Sequence, residues 1–325
     1  MRKRLVEIDV MQGIAMILVV LGHHLFNFMS EWYEKMFDWI YTFHMPLFIF
    51  ISGFLIRYSY KKVNNFTEYK QYIGKRAKKF IPPYLVVGTI CTFISWNFKN
   101  FDTLITNFIN LIISPKQGEA VFLWYIYLLF IFYCIAPIIF NAKTWIKVLL
   151  FIGAIYLSTH VVPVGYLCID WFTRYFMFFL SGAFVAKNYH KIIQHKKICI
   201  FISIISFVVF IVMSIDIFTG ASNSILKYFI QWVGIPTFAI IAYLLKQWNT
   251  TCNALVFVSV NCFGIYLLHM FFVQAGAMVI TRLPFYIPSW GYIVYLIVST
   301  TLSIVISAYL WNKINKNTYT QKVIK

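Results

Sequence analysis

The chain has 325 residues, of which 61% are hydrophobic, 20% aromatic and only 12% charged, about half the charge of a soluble domain, and its mean hydropathy is +0.76. No soluble globule of this length has an interior large enough to hide so much apolar surface, so the composition indicates an all-α integral membrane protein. The 28 Lys+Arg against 10 Asp+Glu do not point to nucleic acid, because the basic residues punctuate apolar runs instead of gathering on one solvated face.

A spanning helix takes about 20 mainly apolar residues. Ten runs qualify: 10–29, 37–56, 80–98, 120–140, 145–162, 171–187, 198–217, 226–245, 254–276 and 290–311. The stretch 101–113 is too short and too polar on one face to span, and reads as an interfacial or re-entrant amphipathic segment. Ten spans place both termini on one side. With that side cytoplasmic, segments 1–9, 57–79, 141–147, 187–197, 246–253 and 312–325 hold 22 of the 28 Lys/Arg, as the positive-inside rule requires. The outer segments hold Lys35, Lys99, Lys116, Lys227 and Arg282, and Arg174 sits near the start of the sixth span. One miscounted helix would move every later loop across the membrane and destroy this bias. The basic start resembles a signal peptide, but the apolar run is too long and no small-x-small site follows Leu25, so the first helix is expected to stay in the mature protein. The expected organisation is one multi-pass domain, 1–325, in the plasma membrane, in contact with lipid. The six cysteines form no C-x-x-C pair and lie mostly in or beside apolar segments, as packing residues.

Polar groups inside a bilayer are expensive, and each is a functional candidate. In the first span, at 100° per residue, Asp9, Gln12, His23 and Asn27 fall within about 60° of one another and form a stripe rising from the inner surface, with His23 roughly 20 Å above the helix start. His24 points about 100° away. His44 in the second span and His269 in the ninth come out near the depth of His23, which suggests a shared cavity. The plainer reading is that each ring donates to a carbonyl of a neighbouring helix and does nothing more. Metal ligands usually arrive with local spacing or a carboxylate, and none is expected at that depth, so no metal is expected. Arg174 either snorkels to the surface or binds an anionic or sugar-phosphate group from outside. The basic segment 57–79, read as an inner loop, either satisfies topology and holds anionic lipid or binds an anionic cytoplasmic cofactor.

In order along the chain, EIDVMQGIAMILVVLGHH, FHMPLFIFISGFL, GKRAKKFIPPYL, LWYIYLLF, RYFMFFLSGAFVAK and GIYLLH resemble the integral-membrane acyltransferase family three, in particular the branch of fucose 4-O-acetylases and capsule or biofilm polysaccharide O-acyltransferases. The resemblance implies transfer of an acyl group, usually acetyl from cytoplasmic acetyl-CoA, to a hydroxyl of a bacterial surface glycan or its lipid-linked precursor. The family's first helix carries a basic residue, ten intervening residues and a histidine. The histidine falls on His23, but Gln12 holds the basic position and supplies only a neutral hydrogen bond, roughly half as strong as a charge-assisted one. The run Lys75, Arg76, Lys78 and Lys79 matches the family's basic stretch and by resemblance meets the CoA phosphates.

Acyl transfer to an alcohol needs a base or a nucleophile, and histidine serves as either near neutral pH. His23 is therefore expected to be catalytic, with Asp9 ordering the inner end of the stripe. Gln12, His44 or Arg174 would stabilise the oxyanion or hold the acceptor, with His269 and Asn27 as further acceptor contacts. Two other readings stay open: a polysaccharide exporter or small-molecule transporter, which ten helices with a polar midplane also describe, and an inactive relative, suggested by Gln12.

Overall fold

The computed structural model describes residues 4–24, 31–96, 101–219, 223–282 and 288–317. All regular structure among them is helical. In chain order the helices are α1 (Val6–Leu21), α2 (Glu31–Tyr58), α3 (Phe66–Trp96), α4 (Phe101–Ile113), α5 (Trp124–Asn141), α6 (Thr144–Thr159), α7 (Ile169–Lys187), α8 (Tyr189–Gln194), α9 (Lys196–Phe218), α10 (Ser224–Leu245), α11 (Asn249–Val260), α12 (Cys262–Ile280) and α13 (Ser289–Asn317). Short 3-10 turns precede α5 and α7. Every predicted span overlaps at least one helix, and the run 254–276 falls on two.

Among the described residues, six stretches are long and apolar enough to cross a membrane: α2, α5 with its preceding turn, α9, α10, α12 and α13. The other predicted spans fall on α1 and α6, each of 16 residues, on α7, and on the C-terminal half of α3. The N-terminal half of α3 is charged, and its two prolines, Pro82 and Pro83, divide that half from the apolar one.

The chain forms two compact units, one of residues 1–51 with 190–325, the other of 52–189. In the first, α1 packs against α10, α11, α12 and α13. Its buried face carries Val10, Met11, Ala15, Met16, Val19 and Val20. Gly13 lets α11 approach, since a Cβ there would stand 2.3 Å from the Leu255 carbonyl oxygen. Such small-residue contacts replace the hydrophobic drive that lipid removes. Phe43 stacks on Phe238 and meets Phe210 edge-on, tying α2 to α9 and α10. The rest of α9 is bare: only 11% of its apolar window is buried. In the second unit α3 packs on α4 and α5, and α6 on α7. Gly53 of α2 sits so close to α7 that a Cβ would stand 2.1 Å from the Phe179 carbonyl oxygen.

Three expectations change. Helix α1 ends at Leu21, with Gly22 as its C-cap, so His23 lies in the closing turn and not mid-span. The predicted run 254–276 breaks at Asn261, whose Nδ2 donates to the Phe257 carbonyl and whose Oδ1 accepts from Asn312. These bonds supply the polar partners that a helix break in lipid requires. The basic segment expected as a loop is largely helical, because α3 starts at Phe66 with Asn65 accepting from the Glu68 N–H and Glu68 accepting from Asn64 in return. The segment 101–113 is a short helix, as the sequence suggests.

Candidate functional site

The polar stripe of α1 faces α11 and α12. The His23 ring is half-buried and its Nδ1 lies 2.6 Å from the Val19 carbonyl oxygen. A carbonyl only accepts, so Nδ1 carries the proton, and the neutral ring therefore keeps a lone pair on Nε2. Three other histidines repeat this device. Nδ1 of His24 meets the Val20 carbonyl at 3.0 Å, that of His44 the Ile40 carbonyl at 2.7 Å, and that of His269 the Ile265 and Tyr266 carbonyls at 3.0 and 2.8 Å. Each ring thus donates within its own helix, not to a neighbouring one.

His23 meets His269 edge-to-face with ring centroids 4.9 Å apart. His44 is buried, lies edge-on to Tyr41 at 4.7 Å and is an electrostatic neighbour of His23. His24 turns away, with its Nε2 3.0 Å from the Ser299 hydroxyl. A neutral imidazole whose N–H is committed to its own helix can accept at Nε2 but not donate. His44 and His269, each with Nδ1 on a carbonyl of its own helix, are left with Nε2 as an acceptor in the neutral form.

At the inner end of the stripe, the Ser259 hydroxyl lies 2.8 Å from Gln12 Oε1 and 3.4 Å from Asp9 Oδ1. Asp9 pairs with Arg4, and Glu7 with Lys246. Burial alone would raise the Glu7 carboxyl, but the hydrogen bond from Lys246, a backbone N–H and the nearby charges of Lys246 and Lys196 bring it below its ordinary value. Arg4, which precedes α1, thus brings a cation to the inner end of the stripe by pairing with Asp9. Ser259 carries no motif in the sequence, and only the approach of α11 at Gly13 discloses it. Asn27 lies outside the described residues.

The remaining candidates belong to the second unit. On α3, Arg76 places its guanidinium 4.7 Å from the Tyr133 ring centroid and 5.3 Å from that of Tyr72. Its Nε is buried without a hydrogen-bond partner. Burial pushes the Tyr72 phenol above its usual value, against the pull of Arg76, so it remains a neutral donor. Lys79 lies 5.6 Å from the Phe80 ring centroid, and Lys75 and Lys78 are exposed. Arg174 stands exposed on α7, next to Tyr175.

A family model described as an acyltransferase domain matches residues 5–310. The nodulation protein NolL of Sinorhizobium fredii is 38% identical over 85 residues, 25% of this chain and 22% of its own length. NolL of Mesorhizobium japonicum is 34% identical over 97 residues, 28% of this chain and 24% of its own length. The match thus spans less than a quarter of these curated relatives. No solved structure matches the chain significantly.

Proposed function

The chain belongs to the acyltransferase domain family, and from that premise we propose that it is a plasma-membrane O-acyltransferase. Its donor is cytoplasmic acyl-CoA, acetyl-CoA in the simplest case, and its acceptor is a hydroxyl of a bacterial surface glycan or its lipid-linked precursor. The observation that carries this reading is the His23 ring, fixed by Val19 with Nε2 as its base and set against a second imidazole, His269.

In this reading Nε2 of His23 takes the proton of the acceptor hydroxyl as its oxygen bonds to the acyl carbonyl carbon. The C–S bond breaks, and the imidazolium returns its proton to the departing thiolate. His44 and His269 accept from other acceptor hydroxyls and hold the ring that reacts. Gln12 lies three turns below His23, about 16 Å along the helix, too far to meet the same carbonyl. With Asp9 and Ser259 it lines the inner end of the stripe and keeps it polar.

The donor requires cations for its phosphates and a flat surface for its base. Arg76, with an unsatisfied buried Nε between two tyrosine rings, fits that chemistry. The exposed Lys75 and Lys78, with Lys79, add charge, and anionic lipid competes for the same three.

The test is transfer of label from radiolabelled acetyl-CoA by the purified protein in nanodiscs. His23→Ala abolishes label release while still inserting, and Arg76→Ala raises the concentration of acetyl-CoA needed. Unchanged release by the His23 variant overturns the assignment. Transmembrane flux of a saccharide without modification replaces the enzyme reading by an exporter.

A further inference from the structure

The second unit contains a built cluster that none of the acyl-transfer steps uses. Lys116, in the turn after α4, bonds Asp170 at the start of α7, with 2.5 Å between Nζ and Oδ2. The Asp170 side chain is 8% exposed, whereas that of Lys116 is 46% exposed. The carboxylate is thus buried and holds a cation whose other side is open. The same ammonium lies 5.4 Å from the Trp171 ring centroid. Trp171 touches Trp124 with centroids 3.9 Å apart, and Trp124 stacks on Tyr175 at 5.6 Å and 21°. All three rings are half-buried.

The backbone accepts strain to build this set. Leu167 and Cys168, immediately before α7, both have left-handed φ, 54° and 55°, a costly state for residues with a Cβ and one that clusters at ligand sites. Trp171, Arg174 and Tyr175 then share one face of α7, three and four residues apart. Interfacial tryptophans and tyrosines that merely anchor a protein face headgroups; here Trp124 packs against both Trp171 and Tyr175. A buried carboxylate–ammonium pair adds little stability, so anchoring does not explain it either.

We propose that Trp124, Trp171 and Tyr175 form a platform for one pyranose ring, on the side that the positive-inside rule places outside. Lys116 donates to a ring hydroxyl. Asp170 cancels the charge of Lys116, and among the described residues no carboxylate lies within ion-pair distance of Arg174. The cluster therefore carries one uncompensated positive charge, which suits a single anionic group joined to the sugar. The ligand class is a glycosyl phosphate. Reading this ligand as part of the acceptor, on a ring other than the one that His44 and His269 hold, rests on the acyltransfer reading, whereas the site itself does not.

The test is equilibrium binding of radiolabelled glucose 1-phosphate, glucose and inorganic phosphate to the full chain in phosphatidylcholine nanodiscs. Glucose 1-phosphate binds tightest, and Arg174→Gln weakens it roughly tenfold, to the level of glucose. Trp171→Ala weakens both sugars, and Trp171→Phe restores most of the binding, which separates loss of a ring from loss of fold. Phosphate binding as tightly as the sugar phosphate, equal binding by Trp171→Ala, or no saturable binding of any probe overturns the proposal. Acetyl-CoA label release in the same nanodiscs separates the two ideas. Trp171-dependent sugar binding without label release sinks the acyltransfer reading alone, and label release without sugar binding sinks this one alone.

Discussion

Ser259 has one proton and two acceptors within reach, and the shorter contact gives that proton to Gln12. Ser259→Ala takes the donor from Gln12 while Asp9 keeps Arg4, at a cost of about 1–2 kcal/mol, read as a lower unfolding temperature in detergent. The Glu7–Lys246 pair makes a pH prediction. A carboxyl whose folded value lies below the ordinary 4.5 contributes stability that is complete above that value and is lost as pH falls through the lowered one. Acid titration of thermal stability should therefore fall off below pH 4.5 in the wild type, and more shallowly in Lys246→Ala. The histidines stand out in the sequence because a polar group in an apolar run is expensive, but that each ring donates within its own helix is not readable there. Ser259 and the Lys116–Asp170 pair do not stand out, since serine is ordinary in a helix and the ion pair joins residues 54 apart.

Close approach between helices makes the element-scale prediction. Gly13→Ala and Gly53→Ala drive a methyl into a facing carbonyl, a backbone atom that cannot step aside, and each costs about 1–3 kcal/mol by overpacking. Gly153, on α6, has nothing within 4 Å of its would-be Cβ. Gly153→Ala is therefore neutral, or stabilising by up to about 1 kcal/mol through helix propensity. Thermal unfolding of the three variants side by side checks the order. Apolar length located every helix that the ten runs anticipate, but not where helices stop. Asn261 interrupts the run 254–276 without a proline or glycine, and its reason is a partner, Asn312, 51 residues away. The basic stretch before Pro82 reads as a loop because charge and proline usually punctuate spans, yet the Asn65–Glu68 exchange starts α3 there.

For the whole molecule, the distribution of basic residues is a statement about sides. With the N-terminal segment cytoplasmic, a cysteine introduced by Lys227→Cys reacts with a membrane-impermeant maleimide added outside intact cells, and one introduced by Lys62→Cys reacts only after permeabilisation. The opposite pattern would reverse the orientation, and both reacting alike would refute the odd number of spans, five, between the two positions. The family match covers residues of both units. The bareness of α9 has a physical cost of its own. Its 23 residues measure about 34 Å, a few ångströms more than the ~30 Å hydrocarbon core of an average bilayer. Helix α12, which carries His269, has 19, about 28 Å. One membrane thickness cannot match both helices upright. A mismatch at one helix is taken up by tilt or by local change in the bilayer, each at a modest cost, and turnover in vesicles should pass through an optimum as the acyl chains of the lipid are lengthened.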